Sequence, residues 1–161
     1  MAASREEALR RIAAEIGFDV DAEIKVGGNY VPFVVTGPWI HVSGQISRLD
    51  ASVVLEGRAG AGVSLAQAQK AARVSAIRAL AVLRKATGDL ERIRSIAHVT
   101  VFTQCSDTFT QQSEVADAAS DLLAAVLGPI GVHSRTSVGV LQLPKGAAVE
   151  IEFIFKVLGR A

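Results

Sequence analysis

The sequence predicts an α+β fold in which one mixed β-sheet carries its helices on a single face. Three observations lead there. Apolar residues recur at helical spacing in three segments, near 4–17, 64–86 and 111–127. Short β-rich runs lie between them, in the order α-ββ-α-β-α-ββ and without internal repeats. One of these runs, 95–104 (SIAHVTVFTQ), is apolar on both faces, as expected of a central strand. A sheet clothed on one side leaves its other side to be covered, and a second copy of the chain is the simplest cover.

Each element has a local reason. Ser4 followed by Glu7 forms the pattern of a capping box. Ala8, Leu9, Ile12, Ala13 and Ile16 then follow at helical spacing, and Gly17 ends the run. This first helix either packs on the edge of the domain or stands off as an arm. Residues 30–46 (YVPFVVTGPWIHVSGQI) read as a hairpin turning at Gly37-Pro38. Residues 47–63 read as a long loop, glycine-rich from Gly57. Ser64 and Gln67 open a second capping box, and a helix of about six turns follows, ending at Gly88. Leu65, Ala68, Ala72, Ala76, Leu80 and Leu83 face inward there, with Lys70, Arg73, Arg78, Arg84 and Lys85 mostly on other faces. A third helix turns Val115, Ala118, Ala119, Leu122, Leu123 and Val126 inward and stops at Gly128-Pro129. The stretch 133–155 (HSRTSVGVLQLPKGAAVEIEFIF) reads as two strands joined by a tight Leu-Pro-Lys-Gly connection. The whole span 1–161 is expected to form one domain with an extra N-terminal helix at about 4–17.

Composition narrows the function. Half the residues are hydrophobic and 20 per cent are charged, below the ~25 per cent usual for soluble domains. That surplus hints at surface buried in a homo-oligomer. The formal net charge is +1 with the signs interspersed, so a nucleic-acid partner has no electrostatic footprint. A single cysteine, Cys105, excludes an intrachain disulfide and a CxxC metal site. Glu6, Glu7 and Glu15 interrupt the first residues against a signal or transit peptide, and no apolar run is long enough to span a membrane. The expectation is a cytoplasmic soluble protein.

The last two strands carry the candidate chemistry. Period-two alternation puts Arg135, Ser137 and Gly139 on one face, and Thr136, Val138 and Val140 on the other, assigned beneath the helices. In the next strand Glu150 and Glu152 oppose Val149, Ile151, Phe153 and Phe155. Two readings stand. Arginine and glutamate on adjacent strands form a structural ion pair across the ladder. Alternatively, the guanidinium fork clamps a ligand carboxylate while a glutamate orients water or moves a proton. His41, His98 and His133 lack metal-ligand spacing, and His98 reads as a core histidine. Ser43-Gly44-Gln45 is a weak turn signal, Cys105 reads as buried and inert, and Trp39 and Phe109 read as packing residues. The glycines at 57–62 lack the lysine and hydroxyl of a phosphate loop.

Tyr30 followed by VSGQI at 42–46, together with HSRTSVGVLQLPKGAAVEIEFI at 133–154, resembles the Rid (YjgF-like) family of reactive intermediate deaminases. GDLERIRSIAHVTVFTQCSDTF is similar to the family's strand leading into its third-helix region, and the match runs from about residue 24, most like a longer branch of the family. The resemblance implies a chorismate-mutase-like fold assembled as a homotrimer, with sheets facing the trimer core and clefts between subunits. It implies Arg135 as the arginine that binds the substrate carboxylate and Glu150 as the catalytic glutamate. Tyr30 then closes the cleft, Ser43 lies in the matching strand loop, and Ser137 stands where many members have cysteine. The chemistry implied is hydrolytic deamination of small carboxylated enamines and imines such as 2-aminoacrylate, giving a 2-ketoacid and ammonia without a metal or organic cofactor. The longer stretch from Phe109 to Arg135 departs from the short members. A non-catalytic trimeric binding protein for a small carboxylated metabolite is the alternative. Endoribonuclease activity, ascribed to some relatives, gains nothing from the near-neutral charge, and chorismate mutase chemistry would rest on fold alone.

Overall fold

The computed structural model describes residues 4–158; the ends of the expected 1–161 domain span lie outside the described residues. The element order is α1 (Arg5–Ile16), β1 (Phe33–Thr36), β2 (Trp39–Ile46), β3 (Arg48–Leu49), β4 (Ser52–Val53), β5 (Arg58–Ala59), β6 (Gly62–Val63), α2 (Leu65–Thr87), β7 (Ile93–Gln104), α3 (Gln112–Leu127), β8 (Ser134–Val140) and β9 (Val149–Val157). Both expected capping boxes are present, Ser4 with Glu7 and Ser64 with Gln67, and Gly17 and Gly88 end their helices in left-handed conformation. The expected 47–63 loop is drawn into two small two-stranded ribbons, β3–β4 and β5–β6.

The main sheet has the order β1-β2-β9-β7-β8. All neighbours are antiparallel except β7 and β8, which run parallel. Helices α2 and α3 cover one face. Against them the sheet turns Ile40, Val42, Val99, Val101, Val149, Ile151, Phe153 and Phe155, all buried. Alanines at 68, 71, 72, 76 and 79 are buried along α2 and let that helix lie close to the sheet. The α+β class with helices on one face is as the sequence predicts.

Two expectations about the last strands are corrected. First, β8 and β9 are not neighbours. Strand β7 lies between them, and β8 is an edge strand. The Leu143–Gly146 connection therefore crosses β7 instead of closing a hairpin. Second, the faces of β8 are reversed. Arg135 pairs with Val99 and Ser137 with Val101, on the helix side, whereas Thr136 and Val138 pair with Thr100 and Phe102 on the open side. Helix α3 packs over the arginine face, and Gly139 is the residue whose missing side chain leaves room for the Cys105 thiol and Gln112. His98 is likewise on the open face, where its Nδ1 meets Ser134 Oγ at 2.9 Å, and is not a core residue.

Helix α1 is docked. It buries Ala8, Leu9, Ile12 and Ala13. Arg5 donates to the carbonyls of Leu90 and Ile93, each at 3.1 Å, and Arg84 on α2 bridges to Glu6 at 3.0 Å and Asp21 at 2.9 Å.

Candidate functional site

Strand β2 carries a bulge. Val42 pairs with Phe153 and Gln45 with Ile151, so Ser43 and Gly44 together stand opposite Glu152. Bulges re-aim side chains and recur next to functional sites. Here the bulge provides a shelf for Glu150. The Glu150 side chain lies over Gly44, where any Cβ would collide with its carboxylate. Burial, and then the nearby charge of Glu152, raise the Glu150 carboxyl above its ordinary value.

Ser43 ties the incoming chain to this shelf. Its hydroxyl donates to the Val31 carbonyl at 2.7 Å and its backbone N–H to the Pro32 carbonyl at 3.0 Å. The tie fixes the segment just after Tyr30. The Tyr30 ring folds back over Gly27 and Gly28, and a Cβ on Gly28 would come within 3.2 Å of it. Gln45, buried, holds the bulge from behind by donating to the Ser43 carbonyl at 2.9 Å. The Ser43 hydroxyl is therefore engaged by backbone.

Tyr30, Gly44 and Glu150 meet in one cavity of about 180 Å³, together with Arg48, Arg78 and the turn residue Lys145. The volume suits a small metabolite. Arg48 and Arg78 were not among the sequence candidates. Arg78 lies on α2 and is only 6% exposed. The signal that marks it is local: Val74 and Val82, one turn before and after it, are both buried, so Arg78 sits on a buried stripe of the helix.

Arg135 is elsewhere. Its Nη1 donates to Asp117 Oδ1 and to Ser120 Oγ, both at 2.9 Å, and its Nη2 to the Ser113 carbonyl at 3.3 Å. All three partners belong to α3. Ser120 Oγ also lies 3.0 Å from His133 Nε2, while His133 Nδ1 lies 2.6 Å from the Gly131 carbonyl. With the proton on Nδ1, the chain runs from Arg135 through Ser120 to His133 and ends on a backbone carbonyl. The guanidinium borders an open groove with Ser120, Asp121 and His133. Arg135 and Ser137 thus lie on the opposite face of the sheet from Glu150, and neither lines the Glu150 cavity of the same chain. The cross-strand ion pair is excluded by the same geometry.

The fold agrees with that of related proteins. A family model described as "YjgF/chorismate_mutase-like, putative endoribonuclease" matches residues 9–155. The chain belongs to the YjgF/chorismate-mutase-like family. Protein TCP17 of Trypanosoma cruzi is 38% identical over 151 residues, covering 91% of this chain and 94% of that protein. The crystal structure of Atu1372 from Agrobacterium tumefaciens, a protein of unknown function, superposes with a TM-score of 0.86 at 35% identity, covering 96% of each chain. E. coli TdcF, solved with bound serine, gives a TM-score of 0.62 at 21% identity, covering 87% of this chain and 96% of that one; at that identity the likeness is one of fold. Among the described residues no helix is long and apolar enough to cross a membrane.

Proposed function

We propose that this YjgF-family chain is a hydrolytic deaminase of small carboxylated enamine and imine intermediates, of the 2-aminoacrylate type, working as a homotrimer. The observation that carries the reading is Glu150 seated on the Gly44 bulge, with raised proton affinity, in a small cavity shared with Tyr30. That TdcF holds serine, a small amino acid, supports a ligand of this size.

The chemistry asks little of the protein. An iminium carbon is already electrophilic. Water adds to it as Glu150 accepts one of the water's protons, giving a carbinolamine. Glu150 returns that proton to the amine, takes the hydroxyl proton as the C–N bond breaks and the carbonyl forms, and passes it to the departing ammonia, so that 2-ketoacid and ammonium leave. A carboxyl whose proton affinity is raised by burial suits this relay, since it takes a proton more readily than an exposed glutamate and can return it. Holding the acid and the water in register supplies the rest.

The substrate carboxylate needs a cation. Because Arg135 and Glu150 occupy opposite faces of the sheet, Arg135 contributes from a neighbouring subunit, its edge strand brought against the Glu150 cavity of the next chain. Ser137 comes with it, and Tyr30 closes the cavity. The open sheet face, with Val34 and Val138 exposed, is the surface that assembly buries.

The test is ketoacid release from 2-iminobutyrate or 2-iminopropionate. The wild type is expected to exceed the buffer rate and Glu150→Gln to fall to it. Equal release with and without protein would refute turnover. Saturable ligand binding without turnover would instead leave a carboxylate-binding protein.

A further inference from the structure

Two guanidiniums next to the Glu150 cavity lack the carboxylate partners such groups need when buried. Arg78 is 6% exposed and Arg48 is half-buried. Arg78 Nη1 donates to the Arg48 carbonyl at 3.3 Å, and Arg48 Nη2 to the Ala51 carbonyl at 3.1 Å. The Nε of each is buried without a hydrogen-bond partner. Among the described residues neither arginine forms an ion pair. Burying an unpaired charge is expensive, and two like charges side by side are more so. Burial, and then repulsion from Arg48, bring Arg78 down to about 10. It is therefore still a cation at neutral pH and is not relieved by losing its proton.

Both arginines, with Lys25, line two adjoining cavities. The smaller holds Tyr30 and Glu150; the larger, about 240 Å³, lies against Phe18 and Ile24. Asp19, Glu23 and Asp50 also line the larger one, but all three are solvent-exposed and none pairs with either guanidinium. Unsatisfied N–H donors, fixed positive charge and open volume coincide at one place. A carboxylate there would give the two guanidiniums that line both cavities the charge-assisted partner they lack.

We propose that Arg48 and Arg78 form an anion subsite that holds the distal carboxylate of a dicarboxylic imine, so that the preferred substrates carry a second acid group. This rests on the deaminase reading for the turnover but not for the binding. The α-carboxylate goes to the neighbour's Arg135 and the distal one to Arg48 and Arg78, with the imine carbon between them at Glu150.

The experiment has two arms. Calorimetry at matched ionic strength compares glutarate with butyrate, and with inorganic phosphate, on wild type and Arg78→Met. Glutarate is expected to bind about tenfold or more tighter than butyrate, with that advantage lost in Arg78→Met. Kinetics compare kcat/KM for 2-iminoglutarate and 2-iminobutyrate, and the preference for the former is expected to fall toward parity in Arg78→Met. Methionine fills the same space without charge, and a melting curve of the variant confirms that it folds. Glutarate binding no better than butyrate, or unchanged in Arg78→Met, overturns the subsite even if 2-iminobutyrate is turned over. Tight glutarate binding that Arg78→Met abolishes, without turnover of either imine, keeps the subsite and defeats the deaminase reading. Phosphate displacing bound glutarate from the wild type alone supports the subsite as an anion site; phosphate binding to a wild type that does not bind glutarate on its own overturns the dicarboxylate assignment.

Discussion

The carboxylate of Glu150 occupies the space that a Cβ on Gly44 would require. The glycine is there for the glutamate, because Gly44 has neither a positive φ nor a turn to demand it. Gly44→Ala is therefore expected to push Glu150 off its shelf. Overpacking of this kind costs about 1–3 kcal/mol. Turnover should drop about as far as in Glu150→Gln, for which loss of a general acid–base group predicts roughly 10²–10⁴-fold. Melting curves and ketoacid assays on the two variants check this.

Glu150 also sets a pH dependence. Its folded pKa is raised above the unfolded value, so the carboxylate form is disfavoured by folding. The penalty is absent at low pH, where the group is protonated in both states. It appears as pH rises through the unfolded pKa and is complete above the raised folded value. Glu150→Gln should then melt at the same temperature as wild type in acid and above it at neutral pH. A wild type that outlasts the variant at neutral pH would contradict the burial argument.

Ser43 is tied to the segment just after Tyr30. Ser43→Ala removes the 2.7 Å bond to the Val31 carbonyl and is expected to cost about 1 kcal/mol. Because the loss loosens the cavity wall and leaves Glu150 in place, KM should rise while kcat changes little. Steady-state kinetics separate the two.

The helices were legible because their determinants are local. Ser4 with Glu7, Ser64 with Gln67, and glycines at 17 and 88 mark the ends of α1 and α2. The pairing of β8 was not. Its parallel partner β7 lies across the whole of α3, and nothing in the Leu-Pro-Lys-Gly connection announces that it crosses a strand. The β-branched residues Thr136 and Val138 look made for a core, yet they lie on the open side of an edge strand. Arg78 was passed over because a charge on a long helix reads as solvated; its buried neighbours Val74 and Val82 were the contrary signal. Glu150 and Tyr30 do share a cavity, whereas Arg135 and Ser137 do not join them within one chain.

The proposed trimer would bury that open face. Val34, 53% exposed, and Val138, 37% exposed, sit on it with Ile154 and Glu152 between. Light scattering should give three times the 16.9 kDa chain mass. Val138→Asp should shift it toward the single chain by burying an unpaired charge. A monomeric wild type would leave Glu150 without a facing guanidinium from strand β8.

The central claim, that one site takes Arg135 from one subunit and Glu150 from the next, is tested most directly by complementation. Arg135→Met and Glu150→Gln are each expected to be inactive alone. Unfolded, mixed in equal amounts and refolded together, they should recover about a quarter of the wild-type rate, the fraction of interfaces that pair an intact arginine with an intact glutamate in a randomly assembled ring. A mixture no more active than either variant alone, measured against a wild type that survives the same refolding, would contradict the account.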